Sequence, residues 1–141
     1  MFILLFCMFF ANNKTYGFES NTKEISEYSI DCVDLYNYLD SVVSANDYTY
    51  IIMDTFKNTE NYFISRFYFY ETTQLYIEDL DIWGFCRIRE IPIFFIGEKQ
   101  ENLIKQDSTS LFKKESSQSV LIDPHFVIML FYKKWCHLRV G

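Results

Sequence analysis

Residues 62–71 read YFISRFYFYE, and their alternation decides the fold class. Phe63, Phe67 and Phe69 fall on one side of an extended chain, with Tyr62, Arg66, Tyr68 and Tyr70 on the other. This is the period-2 pattern of a half-buried strand with Phe toward a core and Tyr toward water. The neighbouring sequence keeps that character. Tyr48–Phe56 is rich in β-branched and aromatic residues, and KNTEN (57–61) supplies a turn between it and the Tyr62 strand. After TTQ come LYIEDLDIW (75–83) and FCRIREIPIFFI (85–96), separated by Gly84. Pro92 cannot donate to a ladder, which predicts that the latter strand is an edge or breaks there. Short connections imply antiparallel neighbours, so the stretch from Tyr48 to Ile96 predicts a meander of about four strands.

Upstream, the period changes to that of a helix. In SIDCVDLYNYLDSVVSA (29–45), Ile30, Val33, Tyr36, Leu39, Val42 and Val43 recur three or four apart, while Asp31, Asp34 and Asp40 occupy other positions. Ser29 is the expected cap, with Asp31 in the first turn, where the helix dipole favours an anion. Downstream, residues 97–119 are polar, and 108–119 contain five serines, which predicts a surface loop or arm. The last segment, DPHFVIMLFYKKWCHLRVG (123–141), suits either a strand or a helix by its apolar run. Its punctuation favours helix, with Asp123 as cap, Pro124 at the first position and Lys133, Lys134, His137 and Arg139 toward the end. The predicted fold is therefore α+β: an N-terminal amphipathic helix packed on an antiparallel sheet of about four strands, followed by a polar arm and a C-terminal helix or strand.

The chain opens with an unbroken apolar run, Met1–Ala11, followed by NNKTYG. This is the layout of a signal peptide ending near Gly17, and eleven residues fall short of the roughly 20 needed to cross a bilayer. Residues 1–17 are thus expected to direct export to the periplasm or exterior, leaving 18–141 as a single domain; the alternative, an uncleaved opening buried as an N-terminal strand or helix, implies a cytoplasmic protein. Cys7 would leave with the leader. Cys32, Cys86 and Cys136 would remain in a compartment that permits disulfides, where at most one pair among them closes internally.

Half the residues are apolar and 23% are charged, a globular composition. Fifteen Phe and eleven Tyr accord with AT-rich codon usage together with ordinary aromatic packing. Net charge is −6, with nine acids against Lys23 and Lys57 between residues 18 and 60. That distribution argues against nucleic acid, which requires a basic footprint, and suits a basic protein partner better.

No catalytic or cofactor motif is present: there is no phosphate-cradling Gly-rich loop, CxxC, HExxH or GxSxG. Cys136 and His137 are adjacent and project in different directions. On a helix, Cys136 and His125 would lie about 16 Å apart. Glu78 is out of phase with Asp79 and Asp81, and the EDLD segment lacks the ligand run of a calcium loop. No metal site or cofactor is expected. The face made by Tyr62, Arg66, Tyr68 and Tyr70, joined by Arg87 and Arg89 if their strands are neighbours, has the composition of a protein interface. These features predict a small exported binding or inhibitory protein. The alternative is a small pocket enzyme or ligand carrier, with Asp54, Arg66, Tyr68 and Asp81 as candidate pocket groups.

Overall fold

The computed structural model describes residues 22–71, 80–113 and 125–136. The leader, Glu78, Asp79 and His137 lie outside them, as does the part of the polar arm beyond residue 113. The described chain runs β1 (Thr22–Ile30), α1 (Val33–Ala45), β2 (Tyr50–Asn58), β3 (Tyr62–Tyr70), β4 (Gly84–Ile88), β5 (Ile91–Gly97), β6 (Leu103–Lys113), β7 (His125–Tyr132) and the one-turn α2 (Lys133–Cys136). The strands form one mixed sheet in the order β6-β1-β4-β5-β2-β3-β7.

This mostly β architecture corrects the predicted fold. The sheet has seven strands rather than about four, and a strand precedes the helix. Two of its pairings are parallel, β1 with β4 and β2 with β5. Ser29 does not cap the helix, because Ser29 and Ile30 are paired in β1 with Ile104 and Leu103. Cys32 takes the N-cap position without a side-chain capping hydrogen bond. Residues 103–113 of the expected polar arm are strand β6. The C-terminal segment is strand β7 followed by a single helical turn.

The β4–β5 region departs from expectation for a specific reason. Arg89 and Glu90 both adopt positive φ, 50° and 69°, and turn the chain back in a two-residue hairpin. Pro92 then sits in a central strand, opposite Arg87 on the β4 side. Its missing N–H is harmless there, because pairing with β2 begins only at Ile93. Leu80–Trp83, expected as part of a strand, is irregular.

The helix sits on one face of this sheet. Leu35, Leu39 and Val43, spaced one turn apart, are buried against Ile51 and Met53 of β2, Phe63 and Phe67 of β3, and Ile93 and Phe95 of β5. Removing each such side chain from water is worth about 2 kcal/mol, so the face rather than intrinsic propensity holds this 13-residue helix. The opposite face has its own smaller core, in which Tyr50, Ile52, Phe85 and Phe94 are covered by Ile25 and Ile82. The β1–β6 ribbon serves both cores: Ile25 and Phe112 pack on the second, while Tyr28, Ile30 and Leu103 pack on the first. Its close seat on β4 depends on Gly84, where an added Cβ would fall inside the Tyr28 ring.

Candidate functional site

Strand β3 has the two sides that its sequence announces. Phe63, Ser65, Phe67 and Phe69 are buried, and Tyr62, Arg66, Tyr68 and Tyr70 are half-buried on the other face. That outer face continues onto β7 through cross-strand pairs: Tyr62 with Tyr132, Ile64 with Leu130, Arg66 with Ile128 and Tyr68 with Phe126. On β7 the even-numbered side chains are largely in solvent, with Phe126 at 52%, Ile128 at 51%, Leu130 at 43% and Tyr132 at 53% exposure. Single exposed apolar residues are ordinary, whereas four in a row on one strand face are not.

Arg66 stands within this strip. Its guanidinium lies 5.1 Å from the Phe56 ring, 5.8 Å from Phe126 and 6.0 Å from Tyr68, and it donates to the Tyr68 hydroxyl at 3.0 Å. That hydrogen bond, ahead of the attraction of Asp54, raises the Arg66 pKa above its usual value. The face therefore carries a permanent cation held among aromatic faces. Tyr62 meets Tyr132 edge-on at 6.5 Å. Tyr70 stacks on Tyr50 at 4.4 Å, and burial raises its pKa.

The structure brings Tyr62, Arg66, Tyr68 and Tyr70 together and leaves Arg87 and Arg89 elsewhere. Arg87 lies on β4, separated from β3 by β5 and β2, with its guanidinium 5.1 Å from the Phe85 ring and 3.4 Å from the Ser110 hydroxyl. Arg89 sits at the hairpin tip and donates to Asp40 of α1 at 2.7 Å. The exposed residues of β7 are missing from the set read in the sequence. Reading 126–132 as a helix groups Val127, Phe131, Trp135 and Leu138, whereas the strand places Phe126, Ile128, Leu130 and Tyr132 on one side. Trp135, expected on the apolar helix face, is exposed.

The three cysteines among the described residues resolve into one bond and one thiol. Cys32 and Cys136 form a disulfide across 104 residues. Cys86 is free and buried; burial first, and the Glu27 charge second, push its thiol far up, which leaves it a poor nucleophile. His125 is exposed at the start of β7. Among the described residues no group of three His, Cys, Asp or Glu side chains could hold a metal ion.

Of the candidate pocket groups, Asp54, Arg66 and Tyr68 share the open face, with Asp54 directly opposite Arg66, while Asp81 is exposed in the irregular stretch before β4. A cleft of about 320 Å³ between β1, β4 and α1 is lined by residues including Glu27, Tyr36 and Arg87. A depression of about 520 Å³ at the end of β7 is lined by Glu60, Asn61, Tyr132, Lys133 and Lys134. Neither contains any of the four. On the helix side, Gln100 donates to Thr55 Oγ1 at 2.7 Å, and Thr55 and Ser65 share a hydrogen bond of 2.8 Å. This buried seam ties the chain before β6 to β2 and β3.

No protein-family model matches the chain, and no curated protein or solved structure shows significant similarity to it. Among the described residues no helix is long and apolar enough to cross a membrane.

Proposed function

We propose that this chain is a small exported binding module that acts through the outer face of β3 and β7, taking an extended apolar segment of a polypeptide along the β7 edge. The observation that carries this reading is the exposed row Phe126, Ile128, Leu130 and Tyr132 on a strand with only one neighbour among the described residues. An unpaired strand edge offers its backbone N–H and C=O groups to an incoming strand, and alternate side chains supply the pockets that select it. Tyr and Arg beside such a row are the residue types that contribute most per residue at interfaces.

Three of the nine acidic residues that suggest a basic partner are engaged away from this face. Glu24 accepts from Thr109 and Glu27 from Ser108 on the ribbon, and Asp40 pairs with Arg89. The β3–β7 face carries Arg66 with Asp54 beside it, so an uncharged apolar strand fits it better than a basic surface. Export is supported by the leader-like opening and by the Cys32–Cys136 bond, since disulfides persist mainly in oxidising compartments.

The test is site-directed photo-crosslinking in native extract. A photoreactive residue replaces Ile128 in one sample and the exposed Asp34 of α1 in another, with adducts identified by mass spectrometry. Adducts concentrated at position 128 are expected. Equal yields at the two positions would remove the reading.

A further inference from the structure

We infer that the strand taken up by β7 is β7 of a second copy, paired antiparallel about a two-fold axis at Met129. The inference rests on the reading of β7 as an open edge, and the two sheet edges differ in a way that bears on it. The β6 edge is blunted: its ladder with β1 breaks at Glu27, where Gln106–Ser108 intervene between the Ser26 and Tyr28 pairs, and Lys105 and Asp107 are exposed beside the break. Bulges and charged side chains are the usual defences of a sheet edge. Residues Phe126–Tyr132 have none of them: the seven contain no charge, no Pro and no Gly.

Symmetry restricts how two such edges can meet. An axis perpendicular to the sheet keeps each side chain on its own face, so a residue must pair with one of the same parity. Centring the pairing on Met129 engages all of 126–132, placing Ile128 opposite Leu130 of the second copy and Phe126 opposite its Tyr132. The four exposed side chains then cover one another, aliphatic on aliphatic and aromatic on aromatic. The same matching occurs within the chain, where Leu130 faces Ile64 and Tyr132 faces Tyr62.

Charge does not oppose the contact. The two Arg66 side chains would be separated by three strand spacings, about 14 Å, beyond the screening length of about 10 Å at ordinary salt. With roughly half of each large side chain exposed, the row offers at most on the order of 400 Å² per copy, of which side-by-side pairing buries the flanks. Together with the backbone edge, this places the contact among the smaller, reversible interfaces.

Sedimentation equilibrium of the full chain tests this, alongside Ile128→Lys and Leu130→Lys, both at exposed positions where the fold tolerates charge. The expected result is a mass rising with concentration from 17.0 kDa toward twice that value, and a dissociation constant at least tenfold weaker in either variant. In the proposed register Met129→Cys meets its own counterpart at about 5 Å between Cα atoms, within disulfide reach, so mild oxidation crosslinks it faster than Ile128→Cys. A monomer at every concentration, a dimer indifferent to both lysines, or faster crosslinking at 128 overturns the inference. A monomeric mass combined with position-128 adducts to a different protein removes the second copy and leaves the binding reading intact. Equal photo-crosslinking at positions 34 and 128 removes both.

Discussion

Breaking the Cys32–Cys136 bond is the perturbation with the largest expected effect. The bond closes a loop spanning 104 residues of sequence separation, and loop-closure entropy assigns a crosslink of about that size roughly 4.7 kcal/mol. Natural disulfides in small domains cost about 2–5 kcal/mol when removed, so a loss of about 3–5 kcal/mol is expected here. Against a total stability of about 5–15 kcal/mol for a domain of this kind, that is about a fifth at the least and most of it at the other end of the range. The variant is Cys32→Ala with Cys136→Ala rather than serine. Cys32 occupies the N-cap of α1 with no side-chain capping hydrogen bond, and a serine there would add a cap worth about 1 kcal/mol and mask part of the loss. Urea unfolding followed by tryptophan fluorescence reads the effect. With a slope of about 1.5 kcal/mol/M, the midpoint falls by about 2–3 M. Each single alanine variant behaves like the double one, because both remove the same bond. Coincident midpoints for oxidised and reduced protein would refute the reasoning.

Two smaller effects follow from local geometry. Glu90 is held at φ 69° in the hairpin turn, a conformation that costs a non-glycine residue about 1 kcal/mol; Glu90→Gly raises stability by about that amount, read as an increase of a few degrees in Tm. Glu101 accepts a hydrogen bond from Lys133, which lowers its pKa, so its contribution is present above the ordinary carboxylate pKa and is lost as pH falls through the lowered one. The Glu101 side chain is 66% exposed, so Glu101→Gln costs at most about 0.5 kcal/mol at pH 7, and the difference in urea midpoint between wild type and variant shrinks as pH falls below the ordinary carboxylate range.

The legible parts of this fold were those whose partners are local or whose pattern is strong. The inward Phe and outward Tyr of β3 and the hairpin from β2 to β3 follow from residues a few positions apart, whereas the stripe read for α1 is only partly right: Leu39 and Val43 are buried together with Leu35, which it omits, while Tyr36 is 46% exposed and Ile30 belongs to β1. The β1–β6 ribbon has no such signal. TKEISEYSI (22–30) offers only Ile25, Tyr28 and Ile30 to bury, on opposite sides, and its partner begins more than 80 residues later, with Thr22 opposite Lys113. Two largely polar strands that stabilise each other read separately as a cap and a loop. The β4–β5 hairpin was hidden because its turn is Arg-Glu rather than the Asn-Gly that usually marks positive φ at both positions. Half of the candidate site went unread for a third reason: an uninterrupted apolar run satisfies strand and helix periodicity alike, so the exposed side of β7 depended on a secondary-structure choice that Asp123 and Pro124 biased toward helix.

The disulfide and the candidate site are mechanically one arrangement. An edge strand with a single neighbour is normally among the first elements to open, and β7 pairs only with β3 among the described residues. Its core-side contacts are also modest, since only Phe131 of its side chains is fully buried. The chain compensates at the C-terminal end of the strand. Lys133 donates its backbone N–H to the Asn61 carbonyl, and Cys136, one turn later, is bonded to Cys32, the N-cap of α1. The helix covering one face of the sheet is thereby tied covalently to the strand that exposes the other. A tether at that point holds β7 in register without occupying its outer edge or its row of even-numbered side chains. It fixes the strand in place while leaving free the surface that a second strand would use.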